Sequence, residues 1–241
     1  MKATSIGYDF KKSIERIGKI LNADNNSFAE TDAISDSRML TYENGFYVNL
    51  TAVFVNIRDI SSIAGEHRRL VLAKIHRSFI SEMVALMNGY NKTKEINIHC
   101  DSVWCVCDTQ YKQDMDEVFS LVAKICSLAD ILNYKLSEDL KVSYKIGVGM
   151  DYGRALMIKA GYDGSEINDV VWVGDVVNRA CHLCEEAGSG LFDKRIFLSN
   201  IVYDNLNEDN KRLCIKDNER DIYQANIVNE NMHDWLTKQN S

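Results

Sequence analysis

Apolar positions recur at helical spacing over 7–22 (GYDFKKSIERIGKILN), which predicts an amphipathic helix. Residues 23–45 are polar and predict a connecting loop or mobile arm. The run FYVNLTAVFVNI (46–57) is β-branched and aromatic, the pattern of a buried strand. A long amphipathic helix is expected over 66–88, with His76 a packing or surface residue within it. Two short strands, 95–100 and 102–108, flank Asp101 and predict a tight hairpin. A second long helix is expected over 114–134. Strands 141–150 and 154–161 follow, joined by an expected turn at Asp151-Tyr152-Gly153. A short strand (170–173) and a helix from Gly174 to about Ala187 come next. The last fifty residues hold strand-like pieces, RIFLSNIV, RLCI and DIYQANIVN, around a short helix. The order β-α-β-β-α-β, without repeat or linker, predicts an α/β (α+β) fold. One ferredoxin-like sheet would carry helices on one face and a C-terminal β/α extension.

Composition narrows the function. With 241 residues and 46% hydrophobic content, the chain can bury one substantial core. A formal charge of -7 argues against bulk attraction to DNA, RNA or anionic lipid, yet leaves room for a local basic pocket. No apolar stretch approaches the roughly 20 residues that cross a bilayer, so membrane insertion is not expected. The N-terminal MKATSIGYDFKKSIERIG carries charge where a signal peptide needs its apolar core, and a cytoplasmic location is expected. Cys105-x-Cys107 falls on a predicted strand, and Cys181-x-x-Cys184, with His182 between, on a predicted helix. Neither has knuckle glycines, so buried thiols are expected rather than zinc.

Two positions stand where a sheet can present chemistry. Asn56 leaves a buried strand, and Asp101 sits at a hairpin tip. If those strands are neighbours, the two side chains converge beside backbone amides that suit phosphate, and a carboxylate there suits Mg²⁺ or Mn²⁺. An aspartate at a hairpin tip is also plain turn chemistry. Asn178 and His182 are four residues apart and share a helix face, where an amide and a cationic ring can stabilise charge on a reacting phosphate. An ordinary solvated face reads the same way in periodicity alone.

The combined arrangement resembles a known family. FVNIRDIS resembles the first metal-binding segment of class III nucleotide cyclases, usually F-x-D-I-R-G. Ile98-His99-Cys100-Asp101 before SVWCVCD resembles their second metal-binding hairpin, and VWVGDVVNRACHLCEEAG their W-G-x-x-V-N-x-A-x-R helix. The resemblance covers roughly residues 45–230, leaving a helix and arm (1–45) before a cyclase catalytic domain (46–230) and a tail (231–241) after it. Through NGFYVNLTAVFVNIRD, INIHCDSVW, DYGRALMIKAGY and NDVVWVGDVVNRA the chain looks most like bacterial pyrimidine cyclases of the anti-phage Pycsar type.

Carried over residue by residue, the likeness puts Asn56 and Asp101 at the metal positions for two Mn²⁺ or Mg²⁺ ions, with the Ile57 carbonyl a lesser ligand. Asn178 takes the place of the ribose-orienting asparagine, and His182 that of the arginine that stabilises the transition state. Asn97 and Val171 occupy base-reading positions and fit neither the adenine nor the guanine pattern, which favours a pyrimidine. Tyr47 is a candidate to narrow the base pocket, and Arg58 a candidate substrate contact.

Three departures stand out. Asn56 replaces the expected aspartate and brings no charge, which impairs metal-dependent chemistry and fits either an engineered inactive variant or a natural pseudoenzyme. Asp59, three residues on, is a poor substitute. Cys100 stands where a hairpin glycine is usual. His182 is a weaker, pH-dependent cation, and Arg179 is not on the same helix face to replace it.

The resemblance implies a homodimer with sites at the interface, UTP as substrate with CTP second, and cyclic UMP as an alarm signal sensed by a separate effector. A nucleotide-binding regulatory domain without turnover is the competing reading, and an intermolecular nucleotidyl or diguanylate-type transferase a third.

Overall fold

The computed structural model describes residues 3, 5–58, 69–163, 165 and 167–239. The chain opens with α1 (Phe10–Leu21), capped by Asp9, whose carboxylate accepts from the Lys11 backbone N–H at 2.9 Å. The central strands are β2 (Gly45–Arg58) and β5 (Lys145–Gly161), antiparallel from the Gly45–Ile158 pair to the Arg58–Lys145 pair. Between them come α2 (Arg69–Asn88), β3 (Thr93–His99), β4 (Ser102–Cys107) and α3 (Lys112–Leu140). The sheet runs β3-β4-β2-β5, the strand order of a ferredoxin-like unit.

The sheet then extends through β7 (Ile196–Leu198), β9 (Ile222–Ala225) and β8 (Cys214–Asp217). β1 (Phe28–Glu30) adds in parallel to β2, and β6 (Asn168–Val173) pairs back on β5. α4 (Asp175–Glu186), the short α5 (Asn200–Asn205) and α6 (Glu208–Lys211), and α7 (Glu230–Gln239) complete the chain. Among the described residues, no helix is long and apolar enough to cross a membrane.

Strand alternation divides the core between two faces. Val53, Val55 and Ile57 point to the side covered by α2 and α3, where Ile75, Phe79, Met83 and Met87 of α2 recur every fourth residue. Burying each such side chain contributes roughly 1.5–3 kcal/mol. Leu50, Ala52 and Phe54 point to the other side, against Val176, Val177, Ala180 and Cys184 of α4. The expected ferredoxin-like sheet is present, but helices cover both faces and not one: α4 packs opposite α2 and α3 because Leu50, Ala52 and Phe54 make the second face of β2 apolar as well.

The turn expected at Asp151-Tyr152-Gly153 is absent. These residues lie inside β5, paired with Ala52, Thr51 and Leu50. A long ladder with β2 outweighs the local turn chemistry of Asp and Gly. The chain reverses instead after Gly161, where the Tyr162 N–H donates to the Ile167 carbonyl at 2.8 Å. The 23–45 segment, expected as a loop or mobile arm, contains β1 and buries Leu40 beside Val48 and Met157. α3 is longer than expected at both ends: Asp114 accepts from the Gln110 and Tyr111 N–H groups at 3.0 Å, and Lys141 ends the helix in the left-handed conformation. The start of the helix expected at 66–88 falls at 66–68, outside the described residues, as does Asp59.

Candidate active site

Asn56 lies near the end of β2, between buried Val55 and Ile57, and sits opposite Ser102 of β4 and Gly147 of β5. One residue on, the Ile57 N–H donates to the Asp101 carbonyl at 3.1 Å, which fixes the β3–β4 tip beside the end of β2. The two expected metal positions are therefore neighbours. Cys100 at this tip has φ 54°, a left-handed conformation that explains why glycine suits the position. Asn56 continues the Ala52–Phe54 alternation, so its side chain faces α4, and its Oδ1 is buried without a hydrogen-bond partner.

α4 shows two faces. Val176, Val177, Ala180, Leu183 and Cys184 point into the protein, while Asn178 and His182 are exposed and point away from their own sheet. The His182 Nδ1 lies 3.4 Å from the Glu185 carboxylate. Asn56 and Asp101 are thus brought together, and Asn178 and His182 share a separate, outward face of the same chain. Arg179 turns the other way: its Nε lies 3.0 Å from Asp151 Oδ2, an ion-pair contact outside hydrogen-bond alignment. Asp151 has no solvent exposure, and burial raises its pKa above the ordinary carboxylate value. That pairing commits Arg179 of α4 to β5 of the same chain.

Arg58 is also committed. Its guanidinium donates to the Cys184 and Glu185 carbonyls at the end of α4, where a cation suits the helix dipole. A substrate would have to displace those bonds.

Of the expected base-reading residues, Asn97 of β3 lies opposite Trp104, whose ring stacks on Phe54 at 4.9 Å. It therefore shares the sheet face of Asn56. Asn97 Nδ2 donates to Glu95 Oε1 at 2.8 Å, and Trp172 Nε1 donates to Glu95 Oε2 at 3.0 Å. Glu95 is half-buried, and desolvation raises its pKa against the opposing pull of those two donors. It lines a cavity of about 550 Å³ with Ser35, Lys94, Met157, Asp169 and Trp172. Sequence reading passed over Glu95. The available signal was an acidic residue two positions before Asn97 on a strand, hence on the same face.

Val171 occupies the exposed side of β6, while its neighbour Trp172 is buried and reaches Glu95. Tyr47 is not brought to this group. It lies nine residues along β2 from Asn56, about 30 Å at strand rise, on the opposite sheet face, and Arg154 stacks on its ring at 3.8 Å.

The donors expected at the Asn56–Asp101 corner, an amide oxygen, a carboxylate and a backbone carbonyl, are all oxygens, which suits Mg²⁺ or Mn²⁺. The unpartnered Asn56 Oδ1 is a spare acceptor there, but Asp101 is the sole formal charge of the expected donor set. Among the described residues, no group of three or more His, Cys, Asp or Glu is placed to hold a metal. Cys105 and Cys107 are buried in the core with sulfurs 3.8 Å apart, and Cys184 is on the buried face of α4.

No protein-family model matches the chain. Over 212 residues it is 37% identical to a uridylate cyclase of Gulbenkiania mobilis, covering 85% of this chain and 82% of that protein. The chain belongs to the uridylate cyclase family. A uridylate cyclase of Treponema porcinum is 29% identical over 235 residues, covering 96% of this chain and 82% of that one. The fold is that of class III cyclase domains: the crystal structure of the adenylyl cyclase CyaB from P. aeruginosa superposes with a TM-score of 0.63 at 17% identity. That match covers 78% of this chain and 98% of the other.

Proposed function

We propose that the chain is built to convert UTP into 3′,5′-cyclic UMP and pyrophosphate as a homodimer. One observation carries this reading: Asn56 and Asp101 meet at one corner, while Asn178 and His182 face away from it, off their own sheet. A single chain then holds two halves of a site that cannot meet, and a second copy related by two-fold symmetry supplies the missing half. The 3′ oxygen attacks the α-phosphorus, the bond to the bridging oxygen of the β-phosphate breaks, pyrophosphate leaves and the hydroxyl proton passes to solvent.

Asn178 orients the ribose, and His182, when protonated, shares charge on the phosphate. Asn56 Oδ1, the Asp101 carboxylate and the Ile57 carbonyl would hold Mg²⁺ or Mn²⁺. When bound, the metal supplies charge neutralisation and lowers the pKa of the attacking hydroxyl. With asparagine at position 56 the corner is short of one charge, so turnover by this chain is impaired. Work as an alarm signal in the cytoplasm, read by a separate effector, belongs to this proposal through the family likeness.

A second reading, nucleotide binding without turnover, is favoured by Asn56 itself. Restoring the carboxylate (Asn56→Asp) and assaying all four triphosphates with Mn²⁺ by mass spectrometry separates the two. Cyclic UMP, rising by roughly 100-fold or more over the parent chain, is the expected result. No cyclic product from any triphosphate, by a folded dimer, leaves the binding module in place.

A further inference from the structure

Two residues deepen the reading of that site, and the role they take rests on the pyrimidine cyclase proposal. Trp172 is buried, and its indole N–H can only donate. It donates to Glu95 Oε2, so that oxygen is an acceptor. The other carboxylate oxygen accepts from Asn97 Nδ2. Both Glu95 oxygens accept in these two bonds, so the Asn97 amide is held in one orientation, with nitrogen toward Glu95 and Oδ1 left to an incoming donor. An asparagine alone on a strand would present either end. Glu95, fixed from behind by Trp172, removes that ambiguity.

We infer that Glu95 is a positioning residue for base selection, locking the Asn97 amide so that it offers an acceptor oxygen and thereby selects uracil over cytosine. That oxygen is placed at ring position 3, since at position 4 the cytosine amino group would donate to it and the preference would reverse. Uracil carries N3–H, a donor. Cytosine carries an unprotonated N3, whose lone pair repels an acceptor. A neutral hydrogen bond made to one and an unfavourable contact to the other separate the pair by roughly 10-fold.

The lock makes a prediction with a sign. In Glu95→Gln the volume is kept, and the new amide oxygen satisfies the Trp172 N–H. Its nitrogen then donates toward Asn97, whose amide must reverse and present Nδ2 outward. That arrangement suits cytosine N3.

The test is equilibrium binding of UTP and CTP, with Mn²⁺, to the full chain and to the E95Q and N97A variants, each checked for a folded melt. The parent chain should prefer UTP by roughly 10-fold. E95Q should shift the UTP/CTP ratio toward CTP by about 10-fold or more, and N97A should bring the ratio close to one. A residue that merely supports the strand would weaken both nucleotides alike and leave the ratio in place, which overturns the inference. An unchanged ratio in folded N97A overturns it too, whatever E95Q does. If the parent chain binds ATP or GTP better than either pyrimidine, or binds no triphosphate, the pyrimidine cyclase proposal itself fails and carries this inference with it.

Discussion

Gly149 of β5 lies so close to α4 that no side chain fits between them. A Cβ built there would sit 2.1 Å from the Ala180 carbonyl oxygen, 2.3 Å from the Cys184 nitrogen and 2.9 Å from the Cys184 Cα. All three are backbone atoms, so no rotamer change relieves the contact. Ordinary contact distance is about 3.5 Å, so the helix must retreat by at least about 1 Å. Overpacking of this kind typically costs 1–3 kcal/mol, and a rigid backbone partner places Gly149→Ala near about 3 kcal/mol. For a chain of this size that lowers the melting midpoint by roughly 6–12 °C.

The displacement also carries Asn178 and His182, which ride on α4, and a shift of about 1 Å in positioning groups can cost about 100-fold in rate. Gly153, four residues along the same strand, is the control. Its Cβ would meet Val176 Cβ at 3.4 Å, an ordinary contact. Gly153→Ala should therefore stay within about 0.5 kcal/mol of the parent. Thermal and urea unfolding of both variants, with turnover measured in the Asn56→Asp background, tests the argument. If Gly149→Ala melts within about 2 °C of the parent, or the two variants behave alike, the close seating of α4 on β5 does not depend on Gly149.

Cys100 holds a left-handed conformation at φ 54°, which costs a residue with a Cβ roughly 1 kcal/mol. Cys100→Gly should raise stability by about that amount in urea unfolding, and a loss of stability there would contradict the assigned turn. Asp151 is fully buried, with a pKa raised by desolvation. Between the ordinary carboxylate pKa and that raised value the folded state holds the extra proton, so stability falls as pH rises through this window. Asp151→Asn should therefore be the more stable protein at pH 7, with the difference gone by about pH 4 and below. Were the Arg179 contact to outweigh desolvation, urea unfolding at pH 7 would rank the asparagine variant lower.

Periodicity in the chain determined most of the elements. The alternation from Phe46 to Ile57 and the four-residue recurrence of Ile75, Phe79, Met83 and Met87 are local properties, and each needs only one buried face to be read. The hairpin around Asp101 followed in the same way, and with it the expectation that Asn56 has a neighbour at that tip. The motif order placed the chain in its family.

Tertiary structure decided the rest. Asp151-Tyr152-Gly153 has the composition of a turn, yet pairing along β2 holds it in a strand. Arg58 and Arg179 look like free cations in one dimension, and the end of α4 and the buried Asp151 claim them in three. Tyr47 stands on the same strand as Asn56, but length and strand parity send it to the opposite face. Glu95 gained its meaning only when Trp172, distant in sequence, reached it across the sheet. Side-chain period is set by the bonds of neighbouring residues, so the sequence carries it directly. Which polar group meets which depends on strand register and helix seating, and those arise from contacts between residues far apart along the chain.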